Sequence, residues 1–327
     1  MKNMFRIAFA LSLASATSAT FAIGPRPPAL QTKETLNIGY VKVGHVSPIL
    51  FAKEDLEKCN VEYKPAEFVR YADARTALLS GSLDVATIGP ADLAIALAQG
   101  NKSIVGLTGV ASSPKYLVVR KDVDIHTWDD IKGKRIGIAP GSAVWFQWAA
   151  TLAEKGIPYK SFEAVNIQGG GTAFIQALER GDVDAVALWE PFESQIVASG
   201  KAYFADQMDY SQSKAVGAEL GMLAATRDAI QNKRGALLCF LWSYKNAEAR
   251  LESDPEAFAQ AYTKFTGLPI DVTRDSVKLI KLGGVLDVEQ LKRQAKVFNE
   301  LGVIPKDTSG EIGNAWDPSL VDAVMKP

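Results

Sequence analysis

Histidine and cysteine are scarce in this chain. Of 327 residues, two are histidines, His45 and His126, and two are cysteines, Cys59 and Cys239. No pair among them has zinc-ligand spacing, so the sequence calls for no metal. A Gly-x-Ser-x-Gly elbow and a P-loop are both missing. Gly169-Gly170-Gly171 is not part of a dinucleotide fingerprint. Without a nucleophile–base set the sequence predicts no catalytic residue, no cofactor and no turnover. The formal net charge is −1, which gives no footing for nucleic acid or a membrane surface. Beyond the first residues, no apolar run is long enough to span a bilayer.

The N-terminus reads as a secretory signal peptide over residues 1–22. Lys2 and Arg6 precede an apolar stretch from Ile7 to Ala16, and Thr20-Phe21-Ala22 is an acceptable cleavage site, with Ala19 as its rival. No cysteine lies nearby to carry a lipid anchor, so the mature chain is expected free in the periplasm. In that compartment Cys59 and Cys239 could form one disulfide or stay as two buried thiols.

What the chain does contain is a repeat. Ala77-Leu78-Leu79-Ser80-Gly81-Ser82-Leu83-Asp84-Val85 and Ala177-Leu178-Glu179-Arg180-Gly181-Asp182-Val183-Asp184-Ala185 have the same helix end, glycine turn and strand, 100 residues apart. Each runs into apolar residues and stops at a proline, Pro90 or Pro191. Leu36-Asn37-Ile38-Gly39-Tyr40 leading to Gly44 matches Lys134-Arg135-Ile136-Gly137-Ile138 leading to Gly141. Strands alternate with helices through both copies, which predicts two α/β lobes with mostly parallel sheets. After Asp228 the pattern is helical. Crossings near Ser113–Val119 and Gly217–Thr226 divide the chain into 35–112 plus 225–327 as the first lobe and 113–224 as the second. Tyr116–Arg120 and Gly221–Thr226 are the crossing strands. Asp73 is expected to cap the helix ending at Leu79.

Ligands of open parallel sheets sit at the carboxyl ends of strands. That rule nominates Lys42, Gly44 and His45 after the first strand and Gly89 after the third. In the second lobe it nominates Gly141, Ser142 and Trp145, then Trp189, Glu190 and Phe192. Arg70 and Gly169–Thr172 join from the loops before the paired helices. Gly141-Ser142 at a strand end, opening a helix, offers free N–H groups, a dipole and a hydroxyl to an anion. Trp145 or Trp189 would cover an apolar part of the ligand. Lys42, His45 and Arg70 are candidate counter-charges. Asp84 and Asp184 follow helix-ending glycines, at the far end of their strands, and read as structural.

These residues resemble a known family, the periplasmic solute-binding proteins of ABC importers for aliphatic sulfonates, taurine and nitrate, a branch that includes thiamine-precursor binders. The resemblance is carried by Ile38-Gly39-Tyr40, the Ala77-Leu78-x-x-Gly81-x-x-Asp84 run, Ile131 to Gly137, Gly141-Ser142, and Gly181-x-Val183-Asp184-Ala185 followed by Trp189-Glu190-Pro191. It implies a two-lobed, type II-like fold with a helical C-terminal tail that closes on its ligand. It also implies a monomer that works with an ABC permease and its ATPase in the inner membrane. Cleft roles carry over to Tyr40, Gly89, Gly141, Ser142, Trp189 and Glu190. The family often has aspartate where Glu190 stands, and Gly-Asp where this chain has Gly89-Pro90. The second departure removes a polar group and favours an aryl sulfonate or aryl carboxylate over a taurine-type ammonium. A pyrimidine or thiamine-precursor ligand, and a sensory role without transport, remain as alternatives.

Overall fold

The computed structural model describes residues 23–284 and 286–325; the expected signal peptide lies outside them. Among the described residues, eleven strands form two sheets. The first sheet holds β1 (Glu34–Val41), β2 (Val61–Phe68), β3 (Val85–Ile88), β4 (Ile104–Ser112), β10 (Glu219–Thr226) and β11 (Lys281–Leu282). The second holds β5 (Tyr116–Arg120), β6 (Arg135–Ile138), β7 (Glu163–Asn166), β8 (Ala185–Val186) and β9 (Ala202–Asp209).

The repeat is visible in the strand order. The first sheet runs β11-β4-β10-β3-β1-β2 and the second β7-β6-β8-β5-β9. In each, three strands are parallel, β2-β1-β3 and β7-β6-β8. Each triplet is then joined antiparallel by a strand that has crossed from the other half, β10 in the first sheet and β5 in the second. The expectation of mostly parallel sheets is therefore corrected to mixed sheets. A strand arriving from the other lobe enters from the opposite direction, and β4, β9 and β11 pair antiparallel beyond it. β10 pairs along its whole length within the first sheet, although the sequence division at 224 places most of it in the second lobe.

Close packing explains the matched glycines. A Cβ at Gly39 would come within 2.5 Å of Leu83 Cδ1, and one at Gly137 within 2.6 Å of Ile167 Cδ1. Side chains alternate across the first sheet. Leu36, Ile38 and Val85 pack with Phe240 and Tyr244 on one face, whereas Ala86 and Ile88 pack with Leu97 and Phe298 on the other. The second sheet buries Ile136 and Trp148 on one face and Val186 and Phe174 on the other.

The helical tail covers the first sheet. Its central helix, Arg234–Ser253, packs on Ala52–Lys58, and a Cys59–Cys239 disulfide joins the two elements. The sequence pattern runs as helix over 229–252 and 270–282 and shows no strand at 202–209, and the structure differs at all three. The long tail helix breaks at Lys233 into Arg227–Asn232 and Arg234–Ser253, with Lys233 Nζ donating to Asp84. The helix from Ile270 ends at Val277, and Lys281–Leu282 pair with β4 instead. Strand β9 was not anticipated, because its outer half, Asp206 to Asp209, is mostly polar.

Candidate ligand-binding cleft

A cavity of about 290 Å³ lies between the carboxyl ends of the two parallel triplets. From the first sheet it is lined by Val41 at the end of β1 and Val43 and His45 beyond it, by Val69, Arg70 and Tyr71 after β2, and by Gly89, Ala91 and Asp92 after β3. From the second it is lined by Gly141 to Val144 after β6, by Ile167 to Gly170 after β7, and by Trp189 after β8. Most of these groups are apolar.

Three helices of nine residues or more start at this cavity. They are Tyr71–Leu79 with N-cap Arg70, Ala143–Glu154 with N-cap Ser142, and Gly171–Arg180 with N-cap Gly170. Helix geometry leaves the N–H groups of a first turn without helical acceptors. Ser142 Oγ accepts from Trp145 N at 3.1 Å, so the residue is an N-cap, and its own O–H remains a donor. Arg70 and Gly170 make no side-chain cap bond. Gly141 has φ 86°, a left-handed turn that brings the chain from β6 into the helix. The expected cap by Asp73 is corrected. Asp73 lies inside the helix, where it accepts from Arg70 at 2.8 and 3.1 Å.

His45, Arg70, Gly89, Gly141, Ser142 and Trp189 come together around the cavity. Gly169 and Gly170 of the nominated Gly169–Thr172 loop join them, and the other nominated residues stand elsewhere. Tyr40 tilts against Phe265 with ring centroids 5.5 Å apart. Lys42 sits outside with Glu67 3.7 Å away. Trp145 turns from the cleft, lying edge-on to Phe146 at 5.0 Å and donating from Nε1 to Tyr159 at 2.7 Å. Phe192 supports the wall from behind. It packs edge-on to Trp189 at 6.1 Å and lies where a Cβ on Gly171 would strike it.

Glu190 is buried beneath the cavity. It accepts from Ser194 Oγ at 2.7 Å and from Ser276 Oγ at 2.9 Å. Beside it Lys115 Nζ donates to Ser113 Oγ at 2.9 Å and to Glu193 Oε2 at 3.3 Å. Lys115 and Glu193 are almost fully enclosed. Burial pushes the Glu193 carboxyl up to about 8, despite the attraction of Lys115. The cluster joins the first crossing to the helix Phe192–Ala198 and, through Ser276, to the tail.

The sequence reading missed Tyr71, Arg75, Asp92 and Gln147. His45 Nε2 and Tyr71 Oη are 2.7 Å apart. Burial, with the nearby Lys115 charge, lowers the His45 pKa to about 3, so the ring is neutral at ordinary pH. Arg75 forms an ion pair with Asp92, whose Oδ2 also accepts from Gly89 N at 2.7 Å. Gln147 donates to the carbonyls of Gly217 and Glu219, which ties the Ser142 helix to the second crossing. Two of these had a signal. Arg75 follows Tyr71 by four residues on one helix face, and Asp92 opens the helix just after the nominated Gly89.

Among the described residues, no group of three His, Cys, Asp or Glu side chains is placed to hold a metal, and no helix is long and apolar enough to cross a membrane.

Comparison with known proteins bears on the family and the fold. Residues 56–230 match the family model described as ABC transporter, phosphonate, periplasmic substrate-binding protein. A protein of Escherichia coli (strain K12) assigned to aliphatic sulfonate binding is 27% identical over 98% of this chain and 99% of its own length. The taurine-binding periplasmic protein of the same organism is 30% identical over 46% of this chain and 45% of its own. Among solved structures, the alkanesulfonate-binding protein SsuA from Xanthomonas axonopodis pv. citri, bound to MOPS, superposes with a TM-score of 0.73 at 22% identity, covering 86% of this chain and 98% of that one. The match of the family model over more than half of the sequence, on a two-lobed α/β fold, establishes that the chain belongs to the periplasmic substrate-binding proteins of ABC transporters.

Proposed function

We propose that this protein captures a small organic anion with an apolar body, of the sulfonate or aromatic carboxylate type, and delivers it to an ABC permease driven by its ATPase. The observation that carries this reading is the convergence of three helix N-termini on one largely apolar cavity. Helix ends supply N–H donors and partial positive charge without the desolvation cost of a lysine. The valines, Ile95, Ile167, Phe174 and Trp189 suit a hydrocarbon or aryl group. Sulfonate and taurine binding by relatives supports the same ligand class.

In this proposal the anion lies against Ser142 and the N–H groups of Ala143 and Val144, and Trp189 covers the apolar part. The two lobes hinge where the chain crosses between sheets. The chain is exported with its leader removed near Ala22, acts as a monomer in the periplasm and returns its ligand unchanged. A thermal-shift screen of alkyl and aryl sulfonates, aromatic carboxylates, nitrate and pyrimidines tests the ligand class. A ligand at 100 times its Kd adds about 2.7 kcal/mol of stability. Stabilisation by pyrimidines alone would overturn the anion reading.

A further inference from the structure

We propose, resting on the anion reading above, that the cleft accepts a ligand bearing one negative charge and rejects the same skeleton bearing two, with Asp92 setting that limit. Every charged side chain lining the cavity comes from the first-sheet wall: Arg70 and Arg75 on the Tyr71 helix, and Asp92 after β3. The second-sheet wall contributes backbone, Ser142, Gln147, Gln168 and apolar groups. The formal charges on the first wall are already paired, Arg75 with Asp92 and Arg70 with Asp73. His45, held by Tyr71, is neutral. The positive potential left for a ligand is that of the helix ends, about half a charge each and screened where they meet solvent. Three such ends sum to about one and a half charges before screening, enough for one negative charge and short of two.

A second negative charge would find no counter-charge, because Asp92 already occupies Arg75. This carboxylate cannot swing aside. Only 4% of the residue is exposed, Oδ2 is fixed by the Gly89 N–H at 2.7 Å, and the other oxygen is held by Arg75. An unmatched negative charge in a desolvated cleft is disfavoured, and a fixed carboxylate of this kind is how sites reject near-isosteres. A sulfonate or carboxylate meets the limit at any working pH. A phosphonate meets it only while it keeps one proton.

The test is calorimetric titration of the purified protein with benzenesulfonate and phenylphosphonate. These share one ring, and only the phosphonate gains a second charge between about pH 5.5 and about pH 8.5. Benzenesulfonate corrects for changes in the protein's own groups, which include His45, Arg70, Asp73, Arg75 and Asp92 around the cavity and the Lys115–Glu193 pair below it. Between the two pH values phenylphosphonate should weaken by at least about tenfold relative to benzenesulfonate. Asp92→Asn, with folding checked by its melting curve, should shrink that loss to less than about threefold. Phenylphosphonate that holds or gains affinity at the higher pH in the wild type overturns the charge limit, with no variant needed. An undiminished loss in folded Asp92→Asn overturns the role of Asp92. If neither aryl anion binds at either pH, it is the organic-anion reading that falls.

Discussion

Asp84 and Asp184, 100 residues apart, make the same bond in the two sheets. Asp84 Oδ2 accepts the backbone N–H of Asn37 at 2.7 Å, and Asp184 Oδ2 accepts that of Arg135 at 2.9 Å. Each carboxylate, just ahead of the third strand of its parallel triplet, ties that strand to the first. Both stand at the amino ends of their strands, away from the cleft. Burial works against ionised Asp184, yet the Arg135 hydrogen bonds hold its pKa below the usual aspartate value. Its stabilisation is therefore present above the unfolded aspartate range and is lost as pH falls through the lower folded value. Asp184→Asn should cost about 1–3 kcal/mol in denaturant unfolding at neutral pH, with ligand affinity unchanged.

This bond shows how the repeat made the fold legible. Gly81 and Gly181 end matched helices, so strand positions and cleft ends followed from the sequence alone. Residues chosen for standing at a strand end, such as Ser142 and Trp189, do line the cavity. Residues chosen one step further on were harder to place. Trp145 sits one turn past the helix start and rotates away toward Tyr159, while Glu190 and Phe192 point beneath the wall. Arg75 and Asp92 escaped notice because their pairing joins two helices that the sequence does not show to be neighbours. The antiparallel crossings were also hidden, since a strand's direction depends on which lobe it arrives from.

Trp189 and Trp145 should separate cleanly on mutation. Trp189→Ala removes a cavity wall braced by Phe174 and Phe192 and should weaken ligand binding by at least about tenfold. Trp145→Phe keeps a ring against Phe146 and should leave affinity within about twofold, although its lost bond to Tyr159 lowers stability slightly. Isothermal titration alongside melting curves checks both.

The Cys59–Cys239 disulfide spans 180 residues of chain. Cross-linking so long a loop restricts the unfolded ensemble, and its removal is expected to cost about 2–5 kcal/mol. Reductant, or the double substitution Cys59→Ser with Cys239→Ser, should lower the Tm without altering the ligand Kd. Equal melting temperatures with and without reductant would show that the bond contributes nothing.

Glu193 gives the protein a pH signature. Its carboxyl rises from 4.5 to about 8 through burial, so the folded state binds a proton that the unfolded state releases. Its contribution is fully present below the unfolded value and is lost as pH climbs toward about 8. Glu193→Gln mimics the protonated form. It should flatten the fall in Tm on going alkaline, and the variant should overtake the wild type in stability there. A Tm profile parallel to that of the wild type would contradict a protonated Glu193.

The central claim is that the Ser142 helix start holds the anion. Calorimetric titration of Ser142→Ala with the ligand found by screening tests it most directly. A hydrogen bond to a charged group contributes about 1.5–3 kcal/mol, so affinity should fall by roughly ten- to a hundredfold. The fold should persist, because the lost cap bond to Trp145 N costs only about 0.5–2 kcal/mol. Wild-type affinity in a folded Ser142→Ala protein would contradict the account and place the anion on another wall of the cleft.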